Sequence, residues 1–156
     1  RANRILANRS GMKGMIGGEV IDVEFTGKTV EKKVLKAIYE LKTSALIEAS
    51  MLIGAVLGMA GNGELAIVEE AAKSVGMAFQ IRDDILDATS STKVLGKTVG
   101  SDEKNNKTNY VSLYGLEKAK KECYRLSKEA KDLLLSLDRD TTTLRKIIEG
   151  LIDRES

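Results

Sequence analysis

Apolar residues recur at helical spacing, three or four positions apart, along almost the whole chain. The chain contains no proline, which favours long and uninterrupted helices. Its 156 residues, 42% of them hydrophobic, are enough for one domain with a sizeable core, so the pattern predicts an all-α fold. The predicted helices cover residues 5–24, 30–39, 41–61, 64–88, 116–137 and 141–154.

Two of the predicted helices carry features that bear on packing. Segment 41–61 contains Lys42 and Glu48 as its only charged residues, so we expect its helix to lie at the centre of a bundle. Segment 5–24 contains the pair Gly17-Gly18, and each glycine costs a helix about 1 kcal/mol relative to alanine. A close approach by a second helix usually compensates for such a cost, and we expect one at this pair.

Residues 89–107, TSSTKVLGKTVGSDEKNNK, are rich in Ser, Thr, Gly, Asn and Lys and are predicted to form a loop. A loop of this length is more often functional than idle. With Gly100 as a hinge, Lys97 and Lys107 could close over a negatively charged ligand, so the loop is a candidate active-site lid. The alternative is a solvated basic loop without a function.

The stretch 79–87, FQIRDDILD, places three carboxylates in one of the most apolar parts of the chain. On a helix of about 100° per residue, Asp83, Asp84 and Asp87 share one arc. Gln80 lies on the same arc, so we expect the strip to form one wall of a polar cavity. Hard divalent cations suit carboxylate oxygens, and substrate phosphates usually complete the coordination of Mg²⁺, which is therefore the predicted ion. A solvated acidic face is the alternative.

Lys42 is a second candidate for ligand binding because it precedes a long apolar run and has the hydroxyl of Thr43 beside it. Together the two side chains could grip an anion. A lysine at the edge of a buried helix can also simply extend its ammonium group into water. The residues alone leave both interpretations open.

The composition excludes several classes of function. The chain has no histidine, which removes the commonest general base and most zinc sites. A net charge of +2 with interspersed acids and bases argues against nucleic-acid binding. The single Cys123 suits a reduced thiol and predicts a cytoplasmic location. The longest uncharged run, residues 49–63, is too short to span a bilayer, so no membrane insertion is expected.

Four motifs together resemble the trans-isoprenyl diphosphate synthases, the polyprenyl synthetase family that makes farnesyl and geranylgeranyl diphosphates. In chain order they read GMIGGEVIDVE, LKTSA, FQIRDDILD and GKTVGSDEKNNKT, and they cover most of residues 11–110. The resemblance implies a helical bundle of the isoprenoid-synthase type. It also implies a prenyltransferase that condenses isopentenyl diphosphate with an allylic diphosphate, with Mg²⁺ as cofactor and a homodimer as the intact enzyme.

The resemblance also implies a role for each matching residue. Asp83, Asp84 and Asp87 correspond to the family's second aspartate-rich motif, which binds Mg²⁺ that bridges to the allylic diphosphate. Lys42 and Lys97 correspond to the lysines that contact this diphosphate. The implied catalytic residues are Lys42, Thr43 and Lys97, and the implied substrate-binding residues are Lys42, Thr43, Phe79, Gln80, Lys97 and Lys107.

Two departures from the family's pattern matter. Glu19 stands where the family commonly has glutamine, so a carboxylate replaces an amide donor. Nothing in residues 1–16 resembles the first aspartate-rich motif, so we expect residues 1–156 to be the C-terminal portion of a single longer synthase domain, inactive alone. The alternatives within the fold are a terpene cyclase-like protein and a non-catalytic subunit of a heteromeric synthase. A helical interaction module without catalysis is the alternative of another class.

Overall fold

The computed structural model describes residues 1–94 and 108–152, and every regular element within these ranges is helical. The predicted all-α class is therefore confirmed for the described residues. The elements are α1 (Ala2–Ser10), α2 (Met15–Glu24), α3 (Lys32–Ile38), a π-helix (Tyr39–Ser44), α4 (Ala45–Leu57), α5 (Asn62–Val94), α6 (Tyr110–Tyr114), α7 (Leu116–Leu135) and α8 (Thr142–Ile152).

Three predicted helices differ from the observed ones in how they are joined. Segment 5–24 forms two helices, α1 and α2, because the chain turns between Gly11 and Gly14, where the Gly14 amide donates to the Gly11 carbonyl at 2.9 Å. Segments 30–39 and 41–61 instead form one continuous helical run through α3, the π-helix and α4. The π-helix spans the junction between these two predicted segments.

Helix α5 continues beyond its predicted end at residue 88 and reaches Val94. The prediction of a loop beginning at residue 89 is therefore wrong for residues 89–94. The hydroxyl of Thr89 donates to the Ile85 carbonyl at 2.8 Å, which satisfies this polar side chain without breaking the helix. Residues 95–107, the rest of the predicted lid with Lys97 and Lys107, lie outside the described residues.

The short helix α6 was not predicted, and a capping box begins it. The side chain of Asn109 accepts a hydrogen bond from the Ser112 amide at 2.8 Å, and the Asn109 amide donates to the Ser112 hydroxyl at 2.9 Å. These reciprocal bonds satisfy backbone donors at the helix start. They fix the direction of the chain at the start of α6.

Helix α5 lies at the centre of the bundle, where it packs against α4, the π-helix, α6, α7 and α8. Its buried apolar side chains follow the helical repeat and are Leu65, Val68, Ala71, Ala72, Val75, Ala78, Ile81 and Ile85. The sequence predicted segment 41–61 for this place, and that prediction is wrong because Leu57 of α4 is 72% exposed. The outer side of α4 lines an apolar groove of about 630 Å³ with α8. Small residues let α5 accept neighbours on several sides, which overall hydrophobicity does not reveal.

The charged residue Glu48 in the apolar helix α4 has a structural explanation. Its buried carboxylate oxygen Oε2 lies 2.8 Å from Nη1 of Arg9 in α1. Arg9 also pairs with Glu69 of α5. Burial raises the pKa of Glu48, although the charge of Arg9 opposes the shift. The cluster holds α1 against α4 and α5.

The π-helix is held between one glycine of α2 and one of α5. A Cβ atom on Gly18 would lie 2.7 Å from Cα of Lys42, and a Cβ atom on Gly76 would lie 2.6 Å from Cα of Ser44. Both distances are far shorter than any ordinary carbon–carbon contact. The close approach predicted at the glycine pair is thus confirmed at Gly18. The side chains of α2, the π-helix and α5 meet as a consequence.

Helix α2 presents an apolar row on the side opposite Gly18. Ile16, Val20 and Val23 are 49%, 60% and 63% exposed, and their spacing places them along one side of the helix. Within the described residues, this row is exposed to solvent, whereas the opposite side of α2 touches the π-helix. No helix in the described part of the chain combines the length and the hydropathy that crossing a membrane requires.

Candidate functional site

A polar cavity of about 360 Å³ opens between α2, the π-helix, α5 and the residues just before α6. The polar residues that line it are Asp22, Thr26, Lys28, Lys42, Gln80, Asp84, Asp87, Thr108 and Asn109. Apolar side chains complete the lining and are Phe25, Val30, Leu35 and Ile38, together with Tyr39. Charged groups of both signs therefore share one partly apolar space.

Asp84 is the buried member of the acidic strip, with 5% of its surface exposed. Its Oδ2 atom accepts hydrogen bonds from the Tyr39 hydroxyl and from the Tyr110 amide, the latter at 2.8 Å. Burial raises the pKa of Asp84, and the hydrogen bonds from Tyr39, Tyr110 and Gln80 oppose that shift. Burial and the neighbouring Asp84 also raise the pKa of Tyr39, which keeps the phenol protonated as a donor. Asp84 thus ties α5 to the π-helix and to the start of α6.

The other two aspartates of the strip have different surroundings. Asp87 is exposed and lines the cavity with Asp84, whereas Asp83 is half-buried and is not part of the lining. Among the residues that the structure describes, no three acidic, histidine or cysteine side chains are close enough to hold a metal ion by themselves. A cation bound at this wall would take its remaining ligands from water or from a substrate. Mg²⁺ usually binds in this way, so the oxygen donors present fit this ion.

Lys42 projects from the π-helix towards α2. Its ammonium nitrogen Nζ lies 2.7 Å from Oδ2 of Asp22 and 2.5 Å from Oε2 of Glu19. Partial burial works against the charge on Lys42, but the hydrogen bonds from its ammonium group to Asp22 and Glu19 outweigh that effect and raise its pKa. The ammonium group therefore stays charged at the edge of the cavity.

Thr43 and Gln80 connect the lysine-threonine motif to the acidic strip. The Thr43 hydroxyl donates to Oε1 of Gln80 at 2.9 Å, and the side chain of Gln80 in turn hydrogen-bonds to Asp84. Phe79 is half-buried and is not part of the cavity lining. The structure thus brings Lys42, Thr43, Gln80, Asp84 and Asp87 together at one site, and leaves Asp83 outside the cavity lining.

Several residues of this site were missed in the sequence. A signal for Asp22 was present, because Asp22 lies four residues after Gly18 and therefore on the side of α2 that touches the π-helix. No comparable signal marks Tyr39 or Tyr110. Their contacts with Asp84 join positions that are 45 and 26 residues apart and arise only when the helices pack.

The fold and the cavity together define a class of protein. It is a helical bundle whose interior pocket sets an ammonium group against carboxylate oxygens, with apolar side chains around them. Such a pocket suits an anionic ligand that is accompanied by a hard divalent cation.

Comparisons with known proteins identify the family. The sequence model of the polyprenyl synthetase family matches residues 5–149. The chain is 39% identical over 153 residues to the farnesyl diphosphate synthase of Escherichia coli (strain K12), which covers 96% of this chain and 51% of that enzyme. It is 42% identical over 134 residues to the chloroplastic geranylgeranyl pyrophosphate synthase of Capsicum annuum, with 85% and 36% covered. The chain belongs to the polyprenyl synthetase family.

A solved structure agrees with this assignment. The geranyltransferase of Helicobacter pylori, complexed with magnesium and isoprenyl diphosphate, aligns with a TM-score of 0.75 and 30% identity, over 97% of this chain and 50% of that one. The family resemblance and the helical-bundle fold predicted from the sequence are both confirmed. The chain spans about half the length of the Escherichia coli enzyme.

Proposed function

We propose that this chain supplies a diphosphate-binding wall of a prenyltransferase that joins isopentenyl diphosphate to an allylic diphosphate. One observation carries the proposal: Lys42 and the carboxylates of Asp84 and Asp87 share one cavity in a member of the polyprenyl synthetase family. The magnesium and isoprenyl diphosphate in the Helicobacter pylori geranyltransferase support the same chemistry.

Of the three aspartates that the sequence assigns to Mg²⁺, Asp84 and Asp87 line the cavity and would hold the ion there, whereas Asp83 lies outside the lining. When bound, Mg²⁺ supplies positive charge that offsets the negative charge developing on a departing diphosphate. Lys42 adds its ammonium charge to the same group, and the Thr43 hydroxyl orients the amide of Gln80 beside it. Lys97 and Lys107 would reach the diphosphate from the segment between α5 and α6, and Phe79 would support Gln80 from the neighbouring position.

The reaction proposed for the whole enzyme needs no histidine. The carbon–oxygen bond of the allylic diphosphate breaks, and its electron pair stays with the diphosphate. The double bond of isopentenyl diphosphate then forms a bond to the allylic carbon, and a proton leaves the adjacent carbon for the diphosphate. The apolar lining formed by Phe25, Leu35 and Ile38 would keep water from the cation.

The test measures binding of inorganic diphosphate to the 156-residue chain by titration calorimetry, with and without Mg²⁺. We expect binding that requires Mg²⁺, and we expect Lys42→Gln to weaken it about 10- to 100-fold, because the variant loses a charge-assisted hydrogen bond worth about 1.5–3 kcal/mol. Lys36→Gln is the matched control, since Lys36 is an exposed lysine of α3 paired with Glu40. An equal loss in both variants, or none in either, would contradict the assignment of Lys42. No diphosphate binding by the unaltered chain would instead favour a helical interaction module.

Turnover is a separate prediction. We expect the 156-residue chain to bind diphosphate but to form no prenyl product, because only two residues of an aspartate-rich motif, Asp84 and Asp87, line the cavity. In the described residues no three acidic, histidine or cysteine side chains could hold a metal ion by themselves. An assay with labelled isopentenyl diphosphate and an allylic diphosphate checks this, with the Escherichia coli relative as positive control. Prenyl product formed by this chain alone would refute the prediction. The cytoplasmic location and the homodimer stay predictions from the sequence.

A further inference from the structure

Two carboxylates of helix α2 hold the ammonium group of Lys42, and they differ in their exposure to solvent. Asp22 and Glu19 are three residues apart, so both reach the same side of the helix. The side chain of Asp22 is only 12% exposed and lines the cavity. The side chain of Glu19 is 47% exposed and stands at the rim, outside the lining. Lys42 therefore has one fixed partner and one that solvent can reach.

The two partners differ in how readily they can release Lys42. A half-exposed ion pair is weak because water screens it and two long side chains must be ordered, so its contribution is small. The pair with Asp22 is more sheltered and keeps the ammonium group oriented. An ammonium group has three donors, and the two carboxylates engage two of them. A diphosphate ligand can gain a further donor by displacing Glu19 while Asp22 stays in place.

We propose that Glu19 competes with diphosphate for Lys42 and thereby sets the affinity and the release rate of diphosphate ligands. This inference rests on the proposed function, because it requires Lys42 to bind diphosphate. The carboxylate of Glu19 holds the ammonium group in the ligand-free site, so an arriving diphosphate has to displace it from Lys42. A glutamine at this position, common in the family that the sequence resembles, would leave Lys42 to the ligand. Glu19 thus tunes the affinity of the site and is not a metal ligand.

The first experiment compares Glu19→Gln with the unaltered chain in the calorimetric titration with inorganic diphosphate and Mg²⁺. We expect about threefold to fivefold tighter binding, the size of effect that follows from removing one half-exposed ion pair. Glu24→Gln is the control, because Glu24 is an exposed acid on the same helix that does not contact Lys42, and its affinity should not change. Unchanged binding by Glu19→Gln would overturn the inference. Weaker binding would also overturn it, since Glu19 would then help to hold the ligand or its cation.

A double variant separates competition at Lys42 from general repulsion. Glu19 and Lys42 are in direct contact, so their effects on binding should not be additive. The Lys42→Gln/Glu19→Gln double variant should bind diphosphate as Lys42→Gln does. A gain from Glu19→Gln that persists without Lys42 would refute competition. Failure of every variant, and of the unaltered chain, to bind would overturn the proposed function as well, whereas equal binding by the unaltered chain and Glu19→Gln overturns this inference alone.

Discussion

Gly18→Ala is expected to lower the free energy of unfolding by about 3 kcal/mol, because overpacking at a close helix contact usually costs 1–3 kcal/mol and backbone gives way less than a side chain. The new Cβ atom would lie 2.7 Å from Cα of Lys42, and the other nearest atoms are also backbone atoms. Helix α2 would have to move away from the π-helix, and Asp22 and Glu19 would move with it. Urea denaturation followed by circular dichroism measures the change, and diphosphate titration measures the effect on the site.

Gly54→Ala is the matched control for this prediction. Gly54 lies inside α4, and a Cβ atom there would have no neighbour within 4 Å. Alanine should therefore raise the free energy of unfolding by about 0.5–1 kcal/mol, because it restricts the unfolded chain and favours the helix. A similar loss in both variants would mean that the contact at Gly18 is not the cause.

Asp84→Ala is expected to cost about 3 kcal/mol of unfolding free energy, because each buried donor left unsatisfied costs about 1–3 kcal/mol. The Tyr39 hydroxyl and the Tyr110 amide would both lose the oxygen that accepts their hydrogen bonds. Since Tyr110 keeps a bond from its amide to the Tyr39 hydroxyl at 3.1 Å, the two losses should not add fully. Tyr39→Phe should cost about half as much, since Asp84 would retain its bond from Tyr110.

The neighbouring aspartate provides the contrast that separates stability from ligand binding. Asp87→Ala should change stability by no more than about 0.5 kcal/mol, because Asp87 is exposed. It should nevertheless weaken Mg²⁺-dependent diphosphate binding, since it removes a carboxylate from the cavity wall. If Asp84→Ala were as stable as Asp87→Ala, Asp84 would not be the anchor that its hydrogen bonds indicate.

The helices and their class follow from the sequence because burial of a helix face imposes a regular spacing. Helix geometry placed Gln80 on the arc of the acidic strip, and the family resemblance placed Lys42 at the same diphosphate. The structure puts Lys42, Gln80, Asp84 and Asp87 in one cavity. Local polarity is a poor guide after residue 88, where serines and threonines predict a loop although the Thr89 hydroxyl is satisfied inside the helix.

Other features depend on packing that no local pattern encodes. The apolar content of segment 41–61 suggested the bundle centre, but α5 takes that position because its alanines admit neighbours on several sides. The hydrogen bond between Tyr39 and Asp84 and the ion pair between Lys42 and Asp22 form only when α2, the π-helix and α5 meet. Asp84 is buried because these helices pack together.

The widened turn at Tyr39–Ser44 makes the number of residues in this stretch a structural requirement. A π-helical turn accommodates an additional residue compared with an α-helical turn, and removing one would return the backbone to the tighter winding. The angle about the helix axis that separates Tyr39 from Lys42 would then change. Tyr39 could then keep its place beside Asp84, or Lys42 its place beside Asp22, but not both. We therefore expect homologous chains that share both contacts to tolerate substitutions here far better than single-residue deletions.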